Sequence, residues 1–406
     1  MPSSKDSSMR NNLDHIFKGV LLLYFTGIII FIWINQDQFQ WDFNIYYRAA
    51  QAYSQGLNPY NAENISQFQE GGKVLDFVYP PITLPIFRGF LLMEYSLAYH
   101  IFLVFKCLLL IWLILLWKRY FLRSRLDSLF ILYCLFGFGG AVLIDIMAGN
   151  ISIIEQFILW VAFYLLLNKK VIPFGILILA AAVFKVVPIL FLVLLLLVEG
   201  KRKRFHFAIF LSLFLFIMLI SYIMRPDLFS YFLHNSFRFS ELGVVNPSIF
   251  SLISGFFTLQ AKVTGLIIPG WVPLALFICI VAVVLFVSIK AYRAMKNIEI
   301  DGKDLIVLFA FCVVYALILP RFKDYSYILL LPPAYFIITK IDYAKAFPIL
   351  LLIMLLSSGR FVAIPAIDII FRAFWNYYSL LLAFLVWGLY LYYIFGKIRR
   401  PPAEVS

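Results

Sequence analysis

The stretch Phe77-Val-Tyr-Pro-Pro-Ile-Thr-Leu-Pro-Ile-Phe-Arg88 decides how this chain is threaded. It is apolar enough for a membrane, but Pro80, Pro81 and Pro85 lack backbone donors, and Arg88 would lie at mid-depth. The run over Tyr79–Met93 therefore reads as a juxtamembrane helix, its first turn pre-set by Pro80-Pro81. Charge supports this. With 79–93 outside the bilayer, the next span is Leu97–Trp117, which delivers Lys118, Arg119, Arg123 and Arg125 to the cytoplasm, where basic residues concentrate. Counted as a full span, 79–93 would turn that cluster outward.

Towards the N-terminus, Ile16–Ile34 is too long for a cleaved signal and has no small-residue cleavage site. It is expected to be a permanent span, with Lys5, Arg10 and Lys18 inside. The first outer loop, 35–97, opens with Trp41–Tyr60, WDFNIYYRAAQAYSQGLNPY. Tyr46, Tyr47, Ala50 and Tyr53 or Ser54 recur there at helical spacing, which suggests an amphipathic helix lying at the membrane surface. Gly56 ends it and Asn58-Pro59 marks a turn. Asp42 then sits at the membrane–water boundary. An interfacial loop with a solvated aspartate fits the composition equally well.

Towards the C-terminus, spans three (Leu126–Met147) and four (Ile151–Leu167) lead to Lys169-Lys170. The segment Val171–Val198 lies between that pair and Lys201-Arg-Lys-Arg204, so both ends belong in the cytoplasm. It is too short for two full spans of ~20 residues each. Lys185 and Pro188 near its middle point to two half-helices meeting at a polar break. An unpaired lysine at that depth is costly unless it faces water or an anion. Further spans are expected at Phe205–Met224, Trp271–Ile289, up to Pro320, Ser326–Thr339, Phe347–Ser357 and Tyr377–Phe395, with a second large outer loop at 225–270. No inverted repeat is evident, which weakens a secondary-transporter reading.

Composition agrees. Hydrophobic residues form 64% of the 406 and charged residues 14%, against about 45–50% and about a quarter in soluble domains. The expected fold is an all-α polytopic membrane protein: one domain over 1–406, about twelve transmembrane helices, two of them half-helices, and two juxtamembrane helices in the first outer loop. Both termini are placed in the cytoplasm. The net charge of +13 sits in short clusters between spans, so positive-inside topology accounts for it without nucleic acid. Cys107, Cys134, Cys279 and Cys312 all fall in apolar runs and read as core residues. Metal-ligand spacing, a P-loop and a Ser/His/Asp order are all missing, and no cofactor is expected.

The polar residues gather on the expected outer side: Asp42, Asn150, Glu155, Lys185, Arg225, Arg238, Arg321, Lys323, Asp324 and Arg360. One carboxylate among several cations suits transfer from a phosphate leaving group. The cations hold the phosphate and the carboxylate takes a proton from an acceptor hydroxyl. For any single Arg or Lys the plain alternative is a headgroup anchor. Lys185 lies too deep for that. Glu155 and Asp145 flank the ends of spans three and four, where pairing with a basic residue is the simplest role.

WDFNIYYRAA…GLNPY, the YPP run, GNIS at the head of span four and the Lys185-Val-Val-Pro188 break together resemble glycosyltransferase family 87, over about Ile16 to Tyr327. The resemblance implies a GT-C-class membrane enzyme that moves a hexose, mannose in that family, from a polyprenyl-phosphate sugar to a lipid-linked or cell-envelope glycan. It implies that Asp42 is the base of an inverting transfer at the outer face of the cytoplasmic membrane. It also implies that the two juxtamembrane helices roof a lipid-donor groove. Lys185, Arg321, Lys323, Arg225 and Arg238 are then candidates for the donor phosphate, and Tyr46, Tyr47, Tyr60, Tyr79, Asn150 and Glu155 for the groove. The chain departs from the family pattern at Gly149-Asn150-Ile151-Ser152, where Gly-Gln-x-Asn is expected. It departs again at Arg321-Phe-Lys-Asp-Tyr325, which carries no histidine. A lipid-linked-glycan flippase would use similar basic residues but has no need of Asp42 for its activity.

Overall fold

A computed structural model describes residues 4–68, 75–122, 128–198, 202–237, 241–296, 300–341, 343–358 and 374–399. All regular structure among them is helical. Among the described residues, six helices are long and apolar enough to cross a bilayer: Asp14–Ile34, Tyr95–Leu122, Ser128–Ala148, Lys203–Met224, Trp271–Lys296 and Tyr378–Lys397. With the shorter apolar helices between them, this is an all-α polytopic membrane protein. The chain divides into two compact units, 1–131 with 143–238, and 132–142 with 239–406.

In the first unit, α1 (Ser4–Ile34) presents Leu22, Leu23, Ile30 and Phe31 outward, as a lipid-facing helix does. The amphipathic stretch forms α2 (Trp41–Ser54), followed by α3 (Ala62–Ser66). α2 is wrapped on more than one face: Phe43, Ile45, Tyr46, Tyr47, Ala49, Ala50 and Ala52 are all buried. The single tyrosine stripe expected from the sequence is thus too narrow. Phe43 stacks on Phe102 at 4.8 Å and Tyr46 on Phe87 at 4.8 Å, so the neighbours of α2 are protein rings. The proline-rich run is a short helical segment, α4 (Leu84–Arg88), between 3-10 turns at Pro81–Thr83 and Gly89–Leu92.

The long α5 (Tyr95–Leu116) continues into a π-helical turn, Trp117–Leu122. α6 (Ser128–Ala148) does not run straight. It breaks at Gly137-Phe138-Gly139-Gly140, inside the 132–142 stretch that belongs to the second unit, and the last three of these residues have φ of 51°, 72° and 72°. Glycine takes that left-handed conformation without a Cβ penalty, and the FGFGG run is what permits the break. α7 (Ser152–Leu167) and α8 (Val171–Phe184) form a hairpin. Lys185 is extended, with φ −131° and ψ 117°, and beyond it lie a 3-10 turn (Val187–Val193) and α9 (Leu194–Leu197). The expected polar break is present, and the two halves pack against each other. α10 (Lys203–Met224) and α11 (Pro226–Phe237) complete the unit.

The second unit holds α12 (Ile249–Thr264), α13 (Trp271–Lys296), α14 (Lys303–Ile318), a 3-10 turn (Asp324–Leu330), α15 (Leu331–Ile341), α16 (Tyr343–Ser358) and α17 (Tyr378–Arg399). Its core is α14 and the 324–338 segment, with Phe309, Val313, Tyr327, Leu329 and Leu331 fully enclosed. The stretch 225–270, expected to be an outer loop, contains α11 and α12. Ser248 caps α12 by accepting from the Ser251 N–H. At sixteen residues with Gln260 and Lys262 near its end, α12 falls below the length that flags a span. Cys134 and Cys312 are core residues as expected, Cys107 is half-buried and Cys279 faces outward.

Candidate functional site

Asp42 is positioned by a bend between α1 and α2. Gln40 is left-handed, with φ 52° and ψ 42°, and its N–H donates to the Met147 carbonyl at 2.6 Å. That bond fixes the start of α2 against the end of α6. The closeness depends on Gly149, where φ is +66° and a Cβ would stand 2.7 Å from the Gln40 Cβ. Asp42 falls in the first turn of α2, where the helix dipole favours a carboxylate.

From the far side of the Gly149 turn comes Asn150, which is 2% exposed. Its amide Nδ2 donates to Asp42 Oδ2 at 2.7 Å, and lies 3.1 Å from the Tyr46 hydroxyl and 3.3 Å from that of Tyr79. The two phenols are 2.7 Å apart. Tyr79 is held in place by its own carbonyl, which accepts from the Tyr60 hydroxyl at 2.6 Å. Burial, reinforced by the nearby Asp42 charge, pushes the Tyr79 phenol well up, so it stays neutral. Tyr60 is likewise pushed up by burial. Asp42 itself is only half-buried and remains reachable. Tyr47 has a different role: its hydroxyl donates to the Met93 carbonyl at 2.9 Å and its ring packs edge-on to Tyr95 at 5.3 Å.

Behind Asn150 lies a second layer. Lys185, at the α8 break, pairs with Glu155 of α7 at 2.7 Å. It also donates to the Ser152 hydroxyl at 2.7 Å and lies 3.4 Å from Asn150 Oδ1. Of the two carboxylates considered for Lys185, Glu155 is thus the partner. Asp145 is taken by Lys106 of α5, whose Nζ lies 2.7 Å from Oδ2 and 2.6 Å from the Asp145 carbonyl, with both side chains fully buried. That same carbonyl accepts from the Gly149 N–H at 3.0 Å, so Lys106 supports the turn that carries Asn150. Ion pairs this deep exist only where each charge has its partner.

The structure therefore brings together Asp42, Tyr46, Tyr60, Tyr79, Asn150, Glu155 and Lys185 in the first unit. Arg225 lies in the same unit, exposed and paired with Asp227 at 3.2 Å. Arg321 and Lys323 belong to the second unit and share one carboxylate, Glu241: Arg321 at 2.8 Å on Oε2 and Lys323 at 2.8 Å on Oε1. Burial alone would raise the Glu241 carboxyl, but Lys323 and Arg321 outweigh it and hold it below the ordinary range. Asn246 accepts from the Phe322 N–H at 2.9 Å and Ser248 donates to the Pro320 carbonyl at 2.6 Å, which pins the two loops together. Arg238 and Arg360 lie outside the described residues.

Sequence reasoning missed the Lys106–Asp145 pair and the linking role of Ser152. The signals were present: two opposite charges inside adjacent spans, and the serine of the GNIS motif itself.

A polytopic helical membrane protein with a carboxylate held by an amide at a helix N-terminus defines a class of membrane enzyme or carrier. Comparison with protein families narrows it: the glycosyltransferase family 87 profile matches residues 77–314, more than half of the chain, and the chain belongs to that family. No curated protein matches it. The matched stretch includes Tyr79, Asn150, Glu155 and Lys185, begins after Asp42 and ends before Arg321.

Proposed function

We propose that this membrane glycosyltransferase of family 87 moves a hexose, mannose in the first instance, from a polyprenyl-phosphate sugar to a lipid-linked or cell-envelope glycan, with Asp42 as the general base. The observation that carries the reading is the Asp42–Asn150 contact at 2.7 Å, beside the Tyr46 and Tyr79 phenols and on a half-exposed helix start. The acceptor hydroxyl attacks the anomeric carbon from the face opposite the phosphate. The new C–O bond forms as the bond to phosphate breaks, the electron pair leaves with the polyprenyl phosphate, and the acceptor's proton passes to Asp42. The configuration at the anomeric carbon inverts. A lipid-borne donor suits a chain built of apolar helices throughout.

Asp42→Asn keeps the side chain's shape and its contact with Asn150 in range, but cannot take the proton. Turnover falls ~10²–10⁴-fold. The measurement is transfer from a polyprenyl-phosphate sugar by the purified, folded variant; near-normal turnover removes Asp42 from the mechanism. The distribution of Lys and Arg supports an outer-face position for Asp42. In a background without the exposed Cys279, Ser54→Cys and Lys170→Cys label from opposite sides. Labelling from one side overturns that orientation.

A further inference from the structure

The hydrogen bonds behind Asp42 all point one way. The Ser152 backbone N–H can only donate, and it meets the Asn150 side chain at 3.0 Å. The atom it faces must be the carbonyl oxygen, so the amide NH2 must face Asp42 and the phenols. The Ser152 hydroxyl adds a second donor to the same oxygen at 2.8 Å. Lys185 Nζ can only donate, so at 2.7 Å the same hydroxyl accepts from it with a lone pair and keeps its proton for Asn150. Ammonium donates to hydroxyl, hydroxyl to amide carbonyl, and amide NH2 to carboxylate. Each link polarises the next, and a chain of this polarity favours a negative charge at its far end.

We propose that Lys185 acts on Asp42 through Ser152 and Asn150, which together form a polarised relay that keeps the Asp42 carboxylate ionised and aimed. Lys185, Ser152 and Asn150 are positioning residues, and none of them has to touch substrate. Glu155 anchors the ammonium at 2.7 Å and holds it in register with Ser152. Two further contacts fix the geometry at the other end: Lys106 secures the Asp145 carbonyl on which the Gly149 turn closes, and Gln40 secures the start of α2. The relay deepens the reading of Asp42 as the base and rests on it for its catalytic meaning.

The relay is tested without donor or acceptor by the rate at which an apolar carbodiimide modifies Asp42 at neutral pH. Such reagents need a protonated carboxyl. Modification is read by peptide mass spectrometry, with the exposed Glu63 as the internal reference. Ser152→Ala keeps the backbone N–H and the Lys185–Glu155 pair and removes only the hydroxyl link. It is expected to raise Asp42 labelling several-fold. Lys185→Met does the same, the double variant labels no faster than Lys185→Met alone, and Ser152→Thr returns the wild-type rate. Wild-type labelling in Ser152→Ala, or additive effects in the double variant, overturns the relay.

Turnover separates the relay from a phosphate contact. With a short-chain polyprenyl-phosphate mannose as the probe, Ser152→Ala loses about tenfold in kcat at unchanged donor KM. A raised donor KM in Lys185→Met, with Ser152→Ala fully active, marks Lys185 as a donor ligand and overturns the proposal. Asp42→Asn serves as the control on the underlying reading. If it is inactive while Ser152→Ala labels and turns over normally, the relay alone fails. If it remains active, the base assignment fails whatever the labelling shows.

Discussion

In the first unit the reachable carboxylate of Asp42 accepts from an amide, whereas in the second Glu241 lies between two cations. Asp42 meets the amide of Asn150, and the lysine behind that amide is already matched by Glu155. Glu241 meets Arg321 and Lys323 directly. A carboxylate clamped by two cations is a poor proton acceptor, because both charges oppose its protonation. An amide donor lowers a carboxylate's basicity less than two full cations do. The contrast explains why the base is sought at Asp42. It also shows two uses of lysine: Lys323 neutralises a carboxylate, while Lys185 orders a string of dipoles.

The contrast is most exposed to failure at Lys106. Lys106→Met leaves Asp145 buried without its counter-charge, and the expected loss of stability is ~3–5 kcal/mol. Adding Asp145→Leu removes the stranded charge and recovers most of that loss. Thermal unfolding of the purified variants in detergent reads both. A single variant as stable as wild type means that water reaches the pair and that the turn beneath Asn150 does not depend on it.

A smaller effect is expected at Gly149. An alanine there meets the Gln40 Cβ at 2.7 Å and must adopt a φ of +66°, at a cost of about 1–3 kcal/mol. Because the strain falls on the bend that aims Asp42, turnover should fall further than stability does. Equal losses in the two would make the Gln40–Gly149 contact merely structural.

The smallest effect belongs to the second unit. Glu241→Gln changes stability at neutral pH by no more than about 1 kcal/mol, since the cluster is partly open to solvent. Its pH dependence has a definite sign. The Glu241 carboxyl is held below its ordinary value of 4.5 in the folded state. The pairing therefore contributes fully above that value and is lost as pH falls through the lower folded one. The gap between wild type and Glu241→Gln should close on acidification below pH 4.5. A gap that widens on acidification would contradict the clamp.

Local signals were enough to read α2, a helical segment in the proline-rich run and the break at Lys185, because each rests on residues that punctuate helices wherever they occur. The charge at Lys185 also announced that an anion must be near. Which anion was beyond the sequence, since Lys106 and Lys185 each had Asp145 and Glu155 to choose from. Helix packing settles that choice: α5 lies by the end of α6, and the α8 break lies by the start of α7. The fracture of α6 was written in its FGFGG run, but a run of apolar residues around it read as one straight span. α12 was hidden because its apolar face is shorter than a span, so length gave no warning.

The bend at Gln40 also has a consequence for how the protein is made. Asp42 and Asn150 stand 108 residues apart in the chain, and the Gln40 N–H donates to the end of α6. When α1 and α2 leave the ribosome, the contacts that aim Asp42 have yet to be synthesised. At ~5–20 residues per second their arrival takes several seconds more, through the insertion of α5 and α6. Until then the carboxylate has no amide to hold it. The contact that holds Asp42 can form only once synthesis has passed Asn150 and reached the start of α7.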